Sequence, residues 1–209
     1  TDSTYCDDSP QFVGDDCGPT PVTDAVVHGR VLHAVTKQPI ADVKIWAAQR
    51  SYFQCTGHVG AINATTATGE FHVPVVERGK HVFDFKMPGF ITAQKEVNVT
   101  SRNGTAGIVY MLPVDSKSNP ITGNNATEQT ATSSNEYNEQ PYIKVVIPQN
   151  TVIETLMGGE WVTVDEIDMR LTWYPNVESL PGPLPETSHF TYAINFQPED
   201  TRFSNDLQV

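Results

Sequence analysis

The side chains able to do chemistry in this chain have types and spacings that favour surface modification over catalysis. Asn63, Asn98, Asn103 and Asn125 each begin an Asn-x-Thr triplet with no proline between, the acceptor pattern for N-linked glycans in a secreted protein. Cys6 and Cys17 flank a short polar loop holding Asp7, Asp8, Asp15 and Asp16. That loop is too poor in apolar residues to keep its shape unaided, and a disulfide would staple it. Cys55 is the third cysteine and can pair with either of the others if the fold brings their Cα atoms within bridging distance. The pairing stays open, as does an intermolecular bond.

Metal and nucleophile chemistry have little to work with. His28, His33, His58, His72, His81 and His189 include no pair at the sequence spacing of a zinc site. Glu160, Asp165, Glu166 and Asp168 form an acidic cluster able to offer oxygen ligands to calcium, and the loop from Asp7 to Asp16 is a second such candidate, but neither follows a calcium-loop spacing. A solvated acidic surface is the simpler reading of both. No nucleophile elbow, Gly-rich phosphate loop or paired-cysteine motif occurs, and the carboxylates are too scattered to nominate an acid–base pair. No catalytic residue, resident metal or cofactor is therefore expected, with Ca2+ the one ion worth testing. Trp46, Trp161 and Trp173 have flat faces that suit sugar stacking, although Trp46 and Trp173 fall inside alternating patterns that favour packing.

Composition bounds the partners. Thirteen basic against twenty-five acidic residues give a formal charge of −12, which repels a phosphate backbone and argues against nucleic acid. The 209 residues are 38% hydrophobic, enough for one large or two small cores, with no apolar run of membrane-spanning length. No charged n-region followed by an apolar stretch opens the chain at Thr1, so either a signal peptide has been removed or the sequence is a fragment, and the sequons favour the first.

The elements that position these groups read as strands. After a polar arm over residues 1–24, Val27, Gly29 and Val31 share one face of a first strand. Thr36-Lys37-Gln38-Pro39 turns the chain into Val43, Ile45 and Ala47, which predicts a hairpin. Phe71, Val73 and Val75 alternate, Gly79 turns the chain into His81, Phe83 and Phe85, and Pro88-Gly89-Phe90 ends that strand. Val97 and Val99, then Ile108, Tyr110 and Leu112, complete a sandwich over residues 25–113. Residues 114–140 turn to Ser, Thr, Asn and Gly with almost nothing apolar, and read as a linker with sites for O-glycans. A second β-region follows over 141–209. Val162 and Val164 share one parity and Ile167, Met169, Leu171 and Trp173 the other, so a turn or bulge is required near Asp165-Glu166. About seventy residues are few for an independent sandwich, which predicts that a neighbouring chain covers a missing edge.

The segments Val27-His28-Gly29-Arg30-Val31, Thr36 to Val43, Thr66 to Phe71 and Met87-Pro88-Gly89-Phe90 resemble carboxypeptidase regulatory-like domains, a transthyretin-like β-sandwich family. The resemblance covers residues 25–113 and implies a non-catalytic supporting module. Val145-Val146-Ile147-Pro148, Val164 to Leu171 and Leu180-Pro181-Gly182 are similar to segments that follow such domains in large extracellular surface proteins. Intradiol ring-cleaving dioxygenases share the sandwich topology and resemble Pro39 to Tyr52, which would offer Tyr52 as a ferric-iron ligand. Phe90 stands where that family has a second tyrosine, however, and no His-x-His follows it.

These readings converge on an all-β, secreted or cell-surface glycoprotein that is not an enzyme. Its expected role is that of a structural subunit self-associating into a homo-oligomer or filament by head-to-tail strand complementation. The alternative is a cell-adhesion module that binds carbohydrate or calcium.

Overall fold

The computed structural model describes residues 25–47, 61–75, 79–134, 143–182, 184, 187–190 and 193–209. Cys6, Cys17, Cys55, Tyr52 and the loop from Asp7 to Asp16 lie outside these residues. Among the described residues the regular secondary structure is all strand apart from a single short 3-10 turn at Val177–Ser179, so the all-β expectation holds. It divides into two compact units. One is built on residues up to Leu112 together with Glu178–Glu186, the other on Pro113–Val177 together with Thr187–Val209.

In the first unit, β1 (Ala25–His33), β4 (Glu70–Val75) and β7 (Asn103–Met111) form a three-stranded sheet in the order β4-β1-β7. Four others, β2 (Lys44–Ala47), β3 (Asn63–Ala64), β5 (Gly79–Lys86) and β6 (Ala93–Val99), form a second sheet in the order β3-β2-β5-β6. The alternating apolar residues predicted from the sequence supply most of the core between them: Val27, Val31, Val43, Ile45, Phe71, Val73, Phe83, Phe85 and Val97 are all buried. In β7 the predicted phase is reversed, with Val109 and Met111 buried and Ile108 exposed, because the pairing with β1 shifts register at Gly107, whose φ is 66°. Phe71 from one sheet meets Phe85 from the other, ring centroids 5.2 Å apart and tilted by 59°.

The predicted hairpin between the first two strands is corrected. The turn itself forms, with the His33 carbonyl accepting from Lys37 N at 2.9 Å and the Gln38 carbonyl from His33 N at 2.8 Å. Beyond it β1 pairs with β4 and β7 while β2 pairs with β3 and β5, so the chain crosses from one layer to the other. The apolar faces of the two strands then meet across the core from opposite sheets. Gly69 makes the connection into β4: its φ of 75° favours glycine, and a Cβ there would stand 2.5 Å from the Val31 carbonyl, too close for any side chain without a shift.

A second correction concerns residues 114–140. Within this expected linker, β8 (Asn119–Thr122) and β9 (Gln129–Thr132) belong to the second unit, and Ile121 and Ala131 sit in its core. Few apolar residues suffice because side-chain amides complete the ladders. Asn119 Nδ2 donates to the carbonyls of Thr132 and Met169, both at 3.0 Å, and its Oδ1 accepts from Thr132 N. Gln129 makes a matching two-way contact with the Thr122 backbone.

The second domain therefore begins at Pro113, not at 141, and β8 and β9 come from the same chain. No neighbouring molecule is needed to supply them. Its remaining strands are β10 (Lys144–Ile147), β11 (Ile153–Met157), β12 (Glu160–Val164), β13 (Glu166–Trp173), β14 (Ile194–Gln197) and β15 (Thr201–Phe203). They form sheets β10-β9, β12-β11-β15 and β14-β13-β8 around Val145, Ile147, Ile153, Met169 and Leu171. The required turn falls at Asp165, where the chain leaves one sheet as β12 and enters another as β13.

Tyr174 gives this unit a spectroscopic marker. Burial, aided by the nearby negative charge of Glu199, pushes its phenol up to about 12 and outweighs a side-chain hydrogen bond with Asn195. An unfolded tyrosine ionises near pH 10. Between these values the native state keeps a proton that the unfolded chain releases, so stability is unaffected below pH 10 and falls as pH rises toward 12. Ultraviolet titration is expected to show one tyrosinate appearing last, and Tyr174→Phe to remove that late step. Its persistence in the variant would assign it elsewhere.

Candidate functional site

Strand β12 is placed by a two-residue hairpin. Gly158 and Gly159 both have positive φ, 61° and 88°, the geometry whose twist matches the flanking strands. In such a hairpin the residues beside the turn, Met157 and Glu160, exchange both backbone bonds, and the pattern then alternates along the ladder. Thr155 with Val162 and Ile153 with Val164 are the next bonded pairs. The N–H and C=O groups of Trp161 and Thr163 must therefore point away from β11. The same alternation directs Leu156 N to the other side of β11, where it donates to the Asp200 carbonyl at 2.9 Å.

Among the described residues strand β12 is the last in its sheet, so these outward groups form an open edge. Among the described residues neither Trp161 nor Thr163 has a backbone partner beyond the ladder. The side chains are as unusual as the backbone: Met157 is 55% exposed, Val162 42%, Trp161 41% and Leu156 40%. Proteins blunt such edges with proline, lysine, bulges or covering loops. β12 carries no proline or lysine, and its pairing with β11 is unbroken.

The outer edge of β4 in the first unit shows the contrast. Glu70 N donates to Thr66 Oγ1 at 3.2 Å, the Glu70 carbonyl accepts from Thr66 N at 2.8 Å, and the Asn63 amide covers the His72 carbonyl. Pro74, the next outward position, has no N–H to offer. Among the described residues one edge is closed by local groups and the other is open.

On the solvent face of the hairpin, Arg202 Nε donates to Glu154 Oε2 at 2.7 Å, and its guanidinium carbon stands 4.5 Å from the Trp161 ring centroid. That hydrogen bond is the main cause holding the Glu154 carboxyl below its usual range, against a smaller opposing effect of burial. It also raises Arg202. The arrangement fixes one face of the indole against a cation. A sugar would have the other face only.

The remaining expected sites fall into place separately. Asn98 and Asn103 are exposed on β6 and at the start of β7. Asn125 lies in the turn after β8, where its Oδ1 accepts from both Thr127 N and Thr127 Oγ1 at 3.0 Å. Asn63 sits half-buried on β3, its amide nitrogen donating to the His72 carbonyl. The acidic cluster does not converge. Asp168 accepts from Ser118 Oγ and from Arg170, which hold its carboxyl below the usual range, while Glu160 stands at the hairpin tip. Among the described residues no three His, Cys, Asp or Glu side chains gather as a metal site.

Phe90 packs against the first core, in edge contact with His33, whose Nδ1 accepts from Val35 N and Thr36 N. Trp173 packs against the second core. A cavity of about 110 Å³ beside the cis Gln197-Pro198 bond, floored by Ile167, Met169 and Phe203, is smaller than small-molecule pockets of roughly 300–1,000 Å³. No helix among the described residues is long and apolar enough to cross a membrane.

No family model matches the chain, and no curated protein matches it. Among solved structures, a streptococcal ancillary pilin aligns at a TM-score of 0.34 and 11% identity, over 87% of this chain and 60% of the pilin chain. The chain thus spans less than two thirds of that pilin's length. A Bacteroides uniformis protein provisionally named as carbohydrate-binding aligns at a TM-score of 0.28 and 14% identity, over 87% of this chain and 78% of that one. Neither likeness is close enough to assign a function.

Proposed function

We propose that this chain is a non-enzymatic, extracellular structural module that associates with a second copy of itself by pairing β12 with β12. The open edge at Trp161 and Thr163 carries this reading. An antiparallel pair centred on Val162 sets Trp161 of each copy opposite Thr163 of the other, and each such pair exchanges both N–H···O bonds. Val162 meets its own counterpart at the centre, at a closely spaced position, with no charged side chain among the residues that bond. The sequons at Asn98, Asn103 and Asn125 support the extracellular setting.

Such a contact is isologous and closes as a dimer. Extension into the filament expected from the sequence requires a second, different contact. The resemblance of residues 25–113 to carboxypeptidase regulatory-like domains supports the same supporting role.

Thr163→Pro tests the reading without disturbing β11, because the N–H it removes points outward. In sedimentation velocity over a concentration series, the unmodified chain is expected to shift toward dimer, and the variant to stay monomeric with an unchanged circular dichroism spectrum. A chain that remains monomeric at the highest concentrations reached, or a variant that dimerises equally, would overturn the proposal.

A further inference from the structure

We propose that His28 and His72 form a two-imidazole clip for a divalent transition-metal ion, taking Cu2+ most tightly. The two residues lie directly opposite each other in the β1–β4 pair. The His72 carbonyl faces away from β1, toward the Asn63 amide, so this is a pair that exchanges no backbone bonds. In such pairs the Cα atoms approach to about 4.5 Å and the side chains lie closest. Both residues are exposed on the solvent face of the sheet, with ring centroids 6.4 Å apart and planes inclined by 32°.

The ring nitrogens are free to ligate, since no hydrogen bond to either imidazole occurs among the described residues. The nearest charges on this face balance: Arg30, two positions from His28, stands directly across from Glu70, two positions from His72, and the chain as a whole carries −12. With metal–nitrogen bonds of about 2.0–2.1 Å, two imidazoles have centroids roughly 4.5 Å apart when cis on a tetragonal Cu2+ and roughly 5 Å apart on a tetrahedral Zn2+. Small side-chain rotations of two exposed residues close that gap. Imidazole suits copper, nickel and zinc, and affinity for a given nitrogen site peaks at Cu2+. Water fills the remaining positions, and the bound ion ties β1 to β4. The site lies in the first unit and is independent of association through β12.

Calorimetric titration of the full chain with Cu2+ alone near pH 7.5, followed by electron paramagnetic resonance, tests this. Coupling to two imidazole nitrogens is expected. His28→Asn and His72→Asn are each expected to weaken binding by about tenfold or more, with unchanged circular dichroism. His189→Asn serves as an exposed control with binding unchanged. Undiminished copper binding in the two clip variants, or coupling to a single nitrogen in the unmodified chain, would overturn the assignment.

Discussion

Replacing Phe85 by alanine is expected to destabilise the first unit by about 3–5 kcal/mol. Phe85 is fully buried on β5, with Ile45 of β2 on one side and Ala93 of β6 on the other. Its ring is the one that reaches Phe71 across the core. Truncation removes the transfer energy of the ring and leaves a cavity between two hydrogen-bonded sheets that cannot collapse freely. It also removes a tilted aromatic pair worth about 0.5–1.5 kcal/mol beyond its area. Phe85→Leu keeps much of the volume and is expected to cost far less.

Two compact units do not guarantee a single cooperative transition, so amide exchange resolved by strand is the better measure. The amides of β5 and β6 should exchange much faster in Phe85→Ala, while β8 and β9 in the other unit stay protected. A loss below about 1 kcal/mol would mean that the two sheets are not held by this contact.

Which residues face inward was mostly legible in the sequence, because alternation is a local property of an extended chain; in β7 the bulge at Gly107 shifted the phase and buried Val109 and Met111 in place of Ile108 and Tyr110. Phe71, Val73, Phe83, Phe85 and Leu171 were placed in cores by parity alone, and the change of parity at Asp165 correctly demanded a turn. Pairing was not legible. β1 finds its partners in β4 and β7, far along the chain, and nothing in the turn Thr36 to Pro39 shows that the chain will change layers. The open edge of β12 was hidden for the same reason, since an edge is defined by what does not pair. Val162 looked like one more alternating valine until the end of its sheet left it exposed. His28 and His72 likewise became neighbours only through strand pairing.

The misread linker leads to the other large effect, expected from Asp115→Ala. Composition counts apolar residues and treats Asn, Asp and Ser as solvent-seeking, yet a buried carboxylate can organise backbone much as a strand partner does. Asp115 is buried, and its carboxylate accepts from Lys117 N at 2.8 Å, from Ser134 N at 3.0 Å and from Ser134 Oγ at 2.8 Å. Its own N–H donates to Thr172 Oγ1 at 2.8 Å, which fixes the start of the segment on β13. One side chain thus ties the entry to β8 and the exit from β9 together. Alanine leaves the Ser134 donors without their acceptor in a partly buried position, at an expected cost of about 2–4 kcal/mol. Asparagine keeps one acceptor oxygen but turns an NH2 group toward donors, and should fall between the two. Amide exchange at Thr132, Ser133 and Ser134 is expected to accelerate first, with Trp173 fluorescence reporting earlier unfolding in urea. Unchanged protection of these amides in Asp115→Ala would mean that Ile121 and Ala131 hold the segment by burial alone, as the sequence pattern had failed to suggest.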